Sequence, residues 1–409
     1  MIEDIKVELA RELLLGKVET LEPEKVDIEE SLDRILYEDF KSEVNIPNFR
    51  KSALDGFALD FADTQDIEDE PKAFKIHGYI EAGNLQKNGH EKNTAVKIMT
   101  GASVPDGYNT VIKKEIVEEK DGYVYISQKL KDKANVVQIG EDVKTGDVIA
   151  EKGTVVNPGM VGVMASLGTE KVEVVRKPRV GILNTGKEIL PVGKPLSEGQ
   201  IYNSNYYTLA SILRRMGCIP VNMGIATDDI DEIADTIDEY VDSVDIVLTT
   251  GGASVGDYDF IYDVYRRLDA EVIFKRVDMK PGTPMLSAYY KEKLLIGLSG
   301  NPGAAFVSFD YLITPVINKL RGKADWEPKK VKARLKTDFI KKSPRRRLVR
   351  ARFEIGEKEN YVFIPKNQKS GTLQSMTVSN CLIDVMPPSD GLKAGEEVEV
   401  ILLEGGDLR

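Results

Sequence analysis

The chain has 409 residues, of which 42% are hydrophobic and 30% charged, and its formal net charge is −11 at pH 7. That length predicts several domains, and the negative charge argues against general binding to nucleic acids or acidic membranes, which requires concentrated positive charge. Two distant cysteines and two histidines argue against a disulfide framework or a Cys/His metal site. With no signal-peptide pattern and no apolar run of about 20 residues, we expect a cytoplasmic protein without membrane contact.

The pattern of the first 177 residues predicts one domain built from two stretches that lie apart in the sequence. Residues 5–15 have the period of a helix, residues 158–167 form a second helical segment, and residues 172–175 form a strand. We expect residues 1–45 and 145–177 to close into one discontinuous α+β domain around an insertion.

That insertion, residues 46–144, predicts an elongated β domain. Strand-like runs occur at 94–99, 110–117 and 123–126, and they are separated by turn-forming residues. We expect the domain to be built mainly from these strands.

Residues 178–325 alternate short apolar strands with amphipathic helices, which is typical of a doubly wound α/β domain. The predicted strands are 179–183, 221–224, 245–249, 272–277 and 294–298. The predicted helices are one capped by Asn203-Ser204 and ended by Gly217, then 230–241, 259–268 and 304–320. Ligands of such domains bind beyond the carboxyl ends of the strands, so the loops there are the first candidates for function.

Residues 326–409 predict a carboxy-terminal β-barrel. Short strands are expected at 330–335, 349–355, 361–365 and 397–402. The run Arg345-Arg346-Arg347 suggests nucleic-acid binding, but it is short and stands in an acidic chain, so we interpret it as a solvated loop.

The glycine-rich loop 250–259, Thr-Gly-Gly-Ala-Ser-Val-Gly-Asp-Tyr-Asp, leads from a predicted strand into a helix. Backbone N–H groups at Gly251, Gly252 and Ser254 are expected to cradle a phosphate, although a tight turn that needs glycine conformations is the alternative. Asp257 and Asp259 favour a bridging Mg²⁺, because carboxylates repel a phosphate unless a hard cation lies between them. Helix capping is the alternative for both.

Two further loops add polar groups at the same sheet edge. Lys275 and Lys280 gather positive charge around the loop 278–282, although a solvated surface cluster is a fair alternative. The loop 299–303, Ser-Gly-Asn-Pro-Gly, is a second small-residue turn into a helix. A proline at a helix start is structurally normal, so this loop by itself does not indicate a binding site. Together, however, the two glycine turns predict a phosphate site with a second polar group.

The loops after the first and second α/β strands each offer a carboxylate. Glu188 lies just past a buried strand and is either a surface carboxylate or a recognition acid at the crevice. Asp228 also follows a strand, and a helix cap is the commoner explanation there.

Five motifs in order identify a family. Ser-Ala-Leu-Asp-Gly-Phe-Ala at 52–58 and Ile-Met-Thr-Gly-Ala at 98–102 precede the loops described above, and the loop 251–259 has a long Gly-Gly-Ala-Ser-Val-Gly-Asp-Tyr-Asp form. Over nearly the whole chain, this combination resembles the molybdopterin molybdotransferase family of molybdenum cofactor biosynthesis, to which the carboxy-terminal domain of gephyrin is related.

The resemblance implies four domains, a homodimer with an active site shared between subunits, and molybdopterin adenylyltransferase as the upstream partner, with molybdoenzymes as possible acceptors. It implies that molybdate is inserted into adenylylated molybdopterin, with Mg²⁺, to give molybdenum cofactor and AMP. The loops and the resemblance together give as catalytic candidates Asp55, Thr100, Glu188 and Asp259, as substrate-binding candidates Gly251, Gly252, Ser254, Asp228, Lys275, Lys280, Ser299, Asn301 and Pro302, and as metal ligands Asp259, Asp228 and Glu188.

Two positions depart from the family pattern. Lys187 stands where the family usually has an acidic residue, which puts a secondary carboxylate in doubt, and Phe57 replaces its common Tyr. Asp55 and Thr100 are our candidates for the molybdate end of the substrate, and the lysines are our candidates for holding oxyanions. The substrate's dithiolene would supply the soft sulfur ligands that a cysteine-poor protein lacks.

Three alternatives remain at this stage. An adenylyltransferase on the same fold would explain residues 178–320 but leaves the two amino-terminal motifs without a role. A scaffold that binds a partner peptide would have no need for acids around a phosphate turn. Tungstate insertion is the third, because tungstate and molybdate are nearly isosteric.

Overall fold

The computed structural model describes residues 2–84, 89–252 and 260–404. The chain divides into two compact units, of which unit 1 comprises residues 1–38, 152–161 and 171–409, and unit 2 comprises residues 39–151 and 162–170. The boundaries of the four expected domains stay a prediction.

The strands up to residue 177 are β1 (Ile2–Ile5), β2 (Pro23–Asp27), β3 (Phe40–Lys41), β4 (Lys51–Ser52), β5 (Gly56–Leu59), β6 (Lys72–Ile80), β7 (Thr94–Ile98), β8 (Thr110–Lys113), β9 (Glu118–Lys120), β10 (Tyr123–Ile126), β11 (Val136–Val137), β12 (Val148–Ala150) and β13 (Lys171–Val175). Those from 178 to 325 are β14 (Arg179–Thr185), β15 (Ile189–Leu190), β16 (Ile201–Tyr202), β17 (Ile219–Ala226), β18 (Ile246–Thr250), β19 (Glu271–Val277), β20 (Met279–Lys280), β21 (Pro284–Tyr290) and β22 (Lys293–Leu298). The remaining ones are β23 (Lys330–Leu335), β24 (Arg346–Glu354), β25 (Tyr361–Phe363), β26 (Cys381–Val385) and β27 (Glu397–Leu402).

The α-helices are α1 (Val7–Leu15), α2 (Pro158–Ser166), α3 (Ser204–Arg215), α4 (Ile230–Tyr240), α5 (Phe260–Arg267), α6 (Pro302–Ser308) and α7 (Thr314–Leu320). A π-helical turn, Phe309–Ile313, joins α6 to α7. Short 3-10 helices occupy Ile28–Glu30, Phe61–Thr64, Lys114–Ile116, Val241–Ser243 and Gln374–Met376.

Unit 1 is organised around a seven-stranded sheet in the order β1-β19-β21-β22-β18-β14-β17. Successive residues of a strand face opposite sides, so Ile182 and Leu248 enter one core with α1, α3 and α7, whereas Leu183 and Val247 enter a second core with α4 and α5. Both faces are therefore covered by helices, and the expected doubly wound arrangement is confirmed.

The sheet is mixed rather than wholly parallel. Strand β21 pairs antiparallel with both β19 and β22, and the sequence prediction had left it out. At the edge, β1 pairs parallel with β19, and α1 packs on α7 and β19. The first helix therefore packs in the core of the α/β sheet, and not with residues 158–175 as the sequence had suggested. Strand β2, in contrast, does pair with β13.

The carboxy-terminal strands of unit 1 form a closed barrel. The order β24-β25-β23-β27-β26 returns to β24 through the β24–β26 pairing, and β20 adds to the outside of β24. Inward residues such as Leu335, Val362 and Val400 fill the interior. The expected barrel is confirmed, with β26 as a strand that the sequence prediction missed.

Unit 2 contains a six-stranded sheet in the order β8-β5-β7-β6-β10-β9. Its two faces carry separate apolar clusters, one around Val96 and Ile98 and the other around Phe57 and Phe74. The strands expected at 94–99 and 123–126 are present, and the one expected at 110–117 ends at Lys113, where a 3-10 helix begins.

Candidate functional site

In unit 2, the two amino-terminal motifs meet at the carboxylate of Asp55. Its Oδ1 accepts hydrogen bonds from the backbone N of Thr100 at 2.9 Å and from Thr100 Oγ1 at 2.7 Å, and its Oδ2 accepts one from Lys114 Nζ at 3.0 Å. These donors lower the pKa of Asp55 to about 2, the backbone N–H of Thr100 contributing most, then its hydroxyl, then Lys114. The structure therefore brings the predicted pair together and adds Lys114, which sequence reasoning missed.

The carboxylate borders a small pocket of about 250 Å³ in unit 2. Its lining includes Tyr79, Ile98 and Met99 and the charged side chains of Asp55, Lys97 and Lys114. A flat ligand edge with a hydrogen-bond donor suits this combination.

In unit 1, the glycine turn after β18 is shaped by close backbone contacts. Gly251 and Gly252 have φ of +99° and +67°, a region that favours glycine. A Cβ on Gly251 would lie 2.2 Å from the carbonyl oxygen of Thr185, so no larger residue fits. The hydroxyl of Thr185 is buried beneath the turn and has no hydrogen-bond partner among the described residues.

The second turn, residues 299–303, lies against the first. A Cβ on Gly300 would be 3.4 Å from the Cα of Gly251, and Asn205 Nδ2 donates to the Gly300 carbonyl oxygen at 2.9 Å. Ser299 Oγ accepts from the backbone N of Asn301 at 3.3 Å, and Pro302 begins α6. The two turns thus share one sheet edge, as the sequence indicated.

The two carboxylates predicted after neighbouring strands are arranged differently. The backbone N of Gly186 donates to the Ala226 carbonyl oxygen at 3.1 Å, which joins the loops after β14 and β17. Glu188 is exposed, and its carboxylate oxygens lie 2.8 Å from where a Cβ on Gly186 would be. Asp229 caps α4 through the backbone N of Glu232, so Asp228 is not the cap.

Three predicted residues of the glycine-rich loop, Ser254, Asp257 and Asp259, lie outside the described residues. Among the described residues, no group of three His, Cys, Asp or Glu side chains could hold a metal ion. Lys275 lies over the ring of Tyr262, with its Nζ 4.4 Å from the ring centroid.

Lys280 lines a groove of about 780 Å³ between the α/β sheet and the barrel, which we name the cationic groove. Its lining residues are Lys280, Pro281, Gly282, Thr283, Pro284, Ser299, Asn301, Ala304, Lys341, Arg347, Gln368, Lys369, Ser370, Gly371 and Thr372. Four of these carry positive charge and none is acidic. Such a surface in a chain of net charge −11 is a local site for an anion.

A buried arginine fixes the barrel side of the cationic groove. Arg350 is 1% exposed, its Nη2 donates to the Lys369 carbonyl oxygen at 3.0 Å, and its Nε and Nη1 have no partner among the described residues. The backbone N of Gly303 donates to the Ser370 carbonyl oxygen at 2.7 Å, and a Cβ on Gly303 would lie 2.0 Å from Arg350 Nη1. The start of α6 and the loop around Ser370 are therefore held together.

The interpretation of Arg345-Arg346-Arg347 as a solvated loop is wrong for Arg346 and Arg347, whereas Arg345 is exposed and precedes β24. Arg346 is 8% exposed and binds Asp384 and Glu8, and Arg347 lines the cationic groove, with its Nε buried and without a partner among the described residues. Alternation along β24 sends successive arginines to different surroundings. The signal was present in the sequence, but only the barrel topology shows which surface Arg347 reaches.

Three family models match the chain in order. One described as "MoeA N-terminal region (domain I and II)" matches residues 5–168, one described as "Probable molybdopterin binding domain" matches 181–319, and one described as "MoeA C-terminal region (domain IV)" matches 332–403. The class defined by fold and site is thus a multidomain protein with a molybdopterin-binding-type α/β domain.

Individual relatives narrow that class. A Staphylococcus aureus (strain COL) protein named molybdopterin molybdenumtransferase is 35% identical over 98% of this chain and 96% of its own, and a Staphylococcus epidermidis protein of the same name is 36% identical over 93% and 91%. A solved molybdopterin biosynthesis MoeA protein from Pyrococcus horikoshii is 30% identical with a TM-score of 0.89, covering 98% of this chain and 99% of that one. This chain belongs to the molybdopterin molybdenumtransferase family and is a transferase. Helices in the described ranges are all too short or too polar to cross a membrane.

Proposed function

We propose that this protein inserts molybdenum from molybdate into adenylylated molybdopterin, with Mg²⁺, and releases molybdenum cofactor and AMP. The observation that carries the proposal is the cationic groove beside the two glycine turns. The groove supplies cations for an oxyanion, and we assign the phosphate to the adjoining glycine turns, so both parts of the substrate pair have a proposed binding place.

Unsatisfied buried donors support an anionic ligand in the groove. A buried polar group without a partner is costly, and a protein retains one where a ligand or water completes it. Arg347 Nε lies in the groove wall without a partner among the described residues. We assign oxyanion binding to Arg347 together with Lys280 and Lys369.

Carboxylate oxygens are the ligands that Mg²⁺ prefers. Glu188 and Asp228 follow adjacent strands whose loops are joined by a hydrogen bond, and Asp228 is not used as the helix cap. The two described carboxylates offer oxygen ligands of the kind that Mg²⁺ takes, and we propose that Asp259, Asp228 and Glu188 together hold the ion. When bound, Mg²⁺ supplies charge neutralisation for the pyrophosphate.

From the sequence alone, Asp55 and Thr100 are the candidates for the molybdate end of the substrate. Because the cationic groove is the better complement to an oxyanion, we instead assign Asp55 a role as hydrogen-bond acceptor. A carboxyl with a pKa of about 2 is ionised throughout the neutral range, so it does not donate a proton to a leaving group there. With Thr100 it would orient a polar edge of the substrate at the end of the 250 Å³ pocket.

The protein's own thiols do not fit as molybdenum ligands. Cys218 and Cys381 are 5% and 0% exposed, and burial raises the pKa of each thiol to about 12. Metal ligation needs the thiolate. The sulfur ligands are therefore assigned to the dithiolene of the substrate.

The test is a reconstitution with purified protein, adenylylated molybdopterin, molybdate and Mg²⁺, followed by the release of AMP. We expect AMP to appear only when all components are present. Consumption of ATP with free molybdopterin would instead favour the adenylyltransferase alternative, and replacing molybdate with tungstate measures oxyanion preference. The homodimer, its cytoplasmic setting, the upstream adenylyltransferase and the molybdoenzyme acceptors form part of the same proposal.

A further inference from the structure

The side chain of Lys114 is the one cation bound to Asp55 in the described part of unit 2. Its Nζ donates to Oδ2 at 3.0 Å, on the side of the carboxylate that Thr100 leaves open. Lys114 also lines the 250 Å³ pocket together with Asp55 and Lys97, and Lys97 is paired with Glu119. Lys114 belongs to neither amino-terminal motif.

The backbone holds these residues in place without help from the Lys114 side chain. The backbone N of Lys114 donates to the Asp55 carbonyl oxygen at 3.2 Å, and Gly101 N donates to the Ser52 carbonyl oxygen at 2.8 Å. A Cβ on Gly56 would lie 1.9 Å from the Ile112 carbonyl oxygen, so strands β5 and β8 approach closely here. Because the Lys114 side chain is 49% exposed, its replacement is expected to leave the fold intact.

An unpaired carboxylate at this position would oppose the substrate. Adenylylated molybdopterin and molybdate are both anionic, and like charges repel over several ångströms, most strongly at low ionic strength. Lys114 cancels the charge of Asp55 while leaving carboxylate oxygens as acceptors. The ammonium also favours the ionised carboxyl, which adds to the lowered pKa of Asp55.

We propose that Lys114 is a positioning residue for the transfer reaction, which fixes the Asp55 carboxylate and cancels its charge so that an anionic substrate can approach. This inference rests on the proposed function. Lys114 is not assigned any bond to the reacting atoms.

The test compares Lys114→Gln, Lys114→Arg and the matched control Lys113→Gln, in which an exposed neighbouring lysine is removed. We expect Lys114→Gln to raise KM for adenylylated molybdopterin about five-fold, with a smaller change in kcat, and the increase to be larger at low salt. Its acid limb of kcat/KM is expected to move to higher pH, because the pKa of Asp55 rises. Lys114→Arg should recover most of the loss, and Lys113→Gln should match the wild type.

A merely structural role would not make the effect depend on salt or shift the pH profile. Wild-type KM and acid limb in Lys114→Gln, or equal damage in Lys114→Arg, would overturn the inference. If the wild type itself releases no AMP, the proposed function fails instead. In that case a ¹³C titration of the Asp55 carboxyl, with its signal assigned by Asp55→Asn, measures whether Lys114 keeps that group ionised. An unchanged pKa of Asp55 in Lys114→Gln would also overturn the inference.

Discussion

The Asp55 site and the cationic groove handle charge in opposite ways. At Asp55, three donors, one of which is the Lys114 cation, surround the carboxylate, so its charge is already paired. In the groove, cations line the wall without acidic partners among the lining residues, and Arg347 Nε is left unsatisfied in the described structure. The paired site is suited to orienting a ligand, whereas the unpaired one is suited to binding an anion.

The largest effect is expected from Asp259, which lies outside the described residues and which the sequence assigns to Mg²⁺. Replacing it in Asp259→Asn should lower Mg²⁺- and molybdate-dependent AMP release by about a hundred-fold or more, because the variant would lose a proposed metal ligand. Circular dichroism should show an unchanged fold. The control Asp263→Asn removes an exposed acid from α5 and should keep activity. Normal turnover in Asp259→Asn would show that Asp259 has no role in the mechanism.

A smaller loss is expected from Lys280→Ala in the groove. Removing one of four cations should weaken binding of adenylylated molybdopterin about ten-fold, because the ligand is anionic. Calorimetric titration measures the change. The control Lys342→Ala removes a lysine that pairs with Asp390 and lies outside the groove lining. This variant should bind the ligand normally. Identical titrations for both variants would contradict the proposed anion binding in the groove.

At the Asp55 site, Thr100→Val keeps the backbone donor and removes the hydroxyl donor. We expect kcat to fall about three-fold, because orientation is loosened. The folded pKa of Asp55, now about 2, should rise, so activity is lost at higher pH than in the wild type as the medium is acidified. Thr100→Ser retains the hydroxyl and serves as the control; a pH profile identical in all three proteins would refute this role of Thr100.

The smallest effect on activity is expected at Asp310. Unlike Asp55, this carboxyl is buried in the protein interior. Burial raises its pKa from 3.8 to about 7, against a backbone donor at Glu404. The folded state then holds the proton more tightly than the unfolded state, so stability is present below about pH 4 and falls as pH rises through about 7. Urea unfolding at pH 5 and pH 8 measures this slope.

Asp310→Asn should flatten that slope and gain on the order of 2 kcal/mol at pH 8 relative to the wild type. Asp390→Asn, an exposed acid paired with Lys342, should leave the slope unchanged. A wild-type slope in Asp310→Asn would show that this carboxyl does not titrate on unfolding.

Much of the α/β fold follows from sequence periodicity. Strands β14, β18 and β22 are buried on both faces and appear as continuous apolar runs, and Asn203 gives a cap signal that the structure satisfies through the backbone N of Tyr206. Strand β21 was missed, because its apolar run follows a Pro-Gly turn and pairs antiparallel with β19 and β22. Local pattern does not encode such pairing.

The site residues that belong to sequence motifs could be predicted, whereas those that only the fold brings together could not. Asp55 and Thr100 stand 45 positions apart and were linked by resemblance, and they share a hydrogen bond. Lys341, Arg347 and Lys369 come from the barrel, so their place beside Lys280 depends on how the barrel closes and packs on the α/β sheet. No spacing rule in the sequence brings those cations together.

We propose that the cationic groove receives the oxyanion of the reaction. The most direct measurement is anomalous diffraction at the molybdenum edge from crystals soaked with molybdate and adenylylated molybdopterin. We expect a molybdenum peak within the groove, near Lys280, Arg347 and Lys369. A peak at another place on the molecule, with the groove empty, would contradict it.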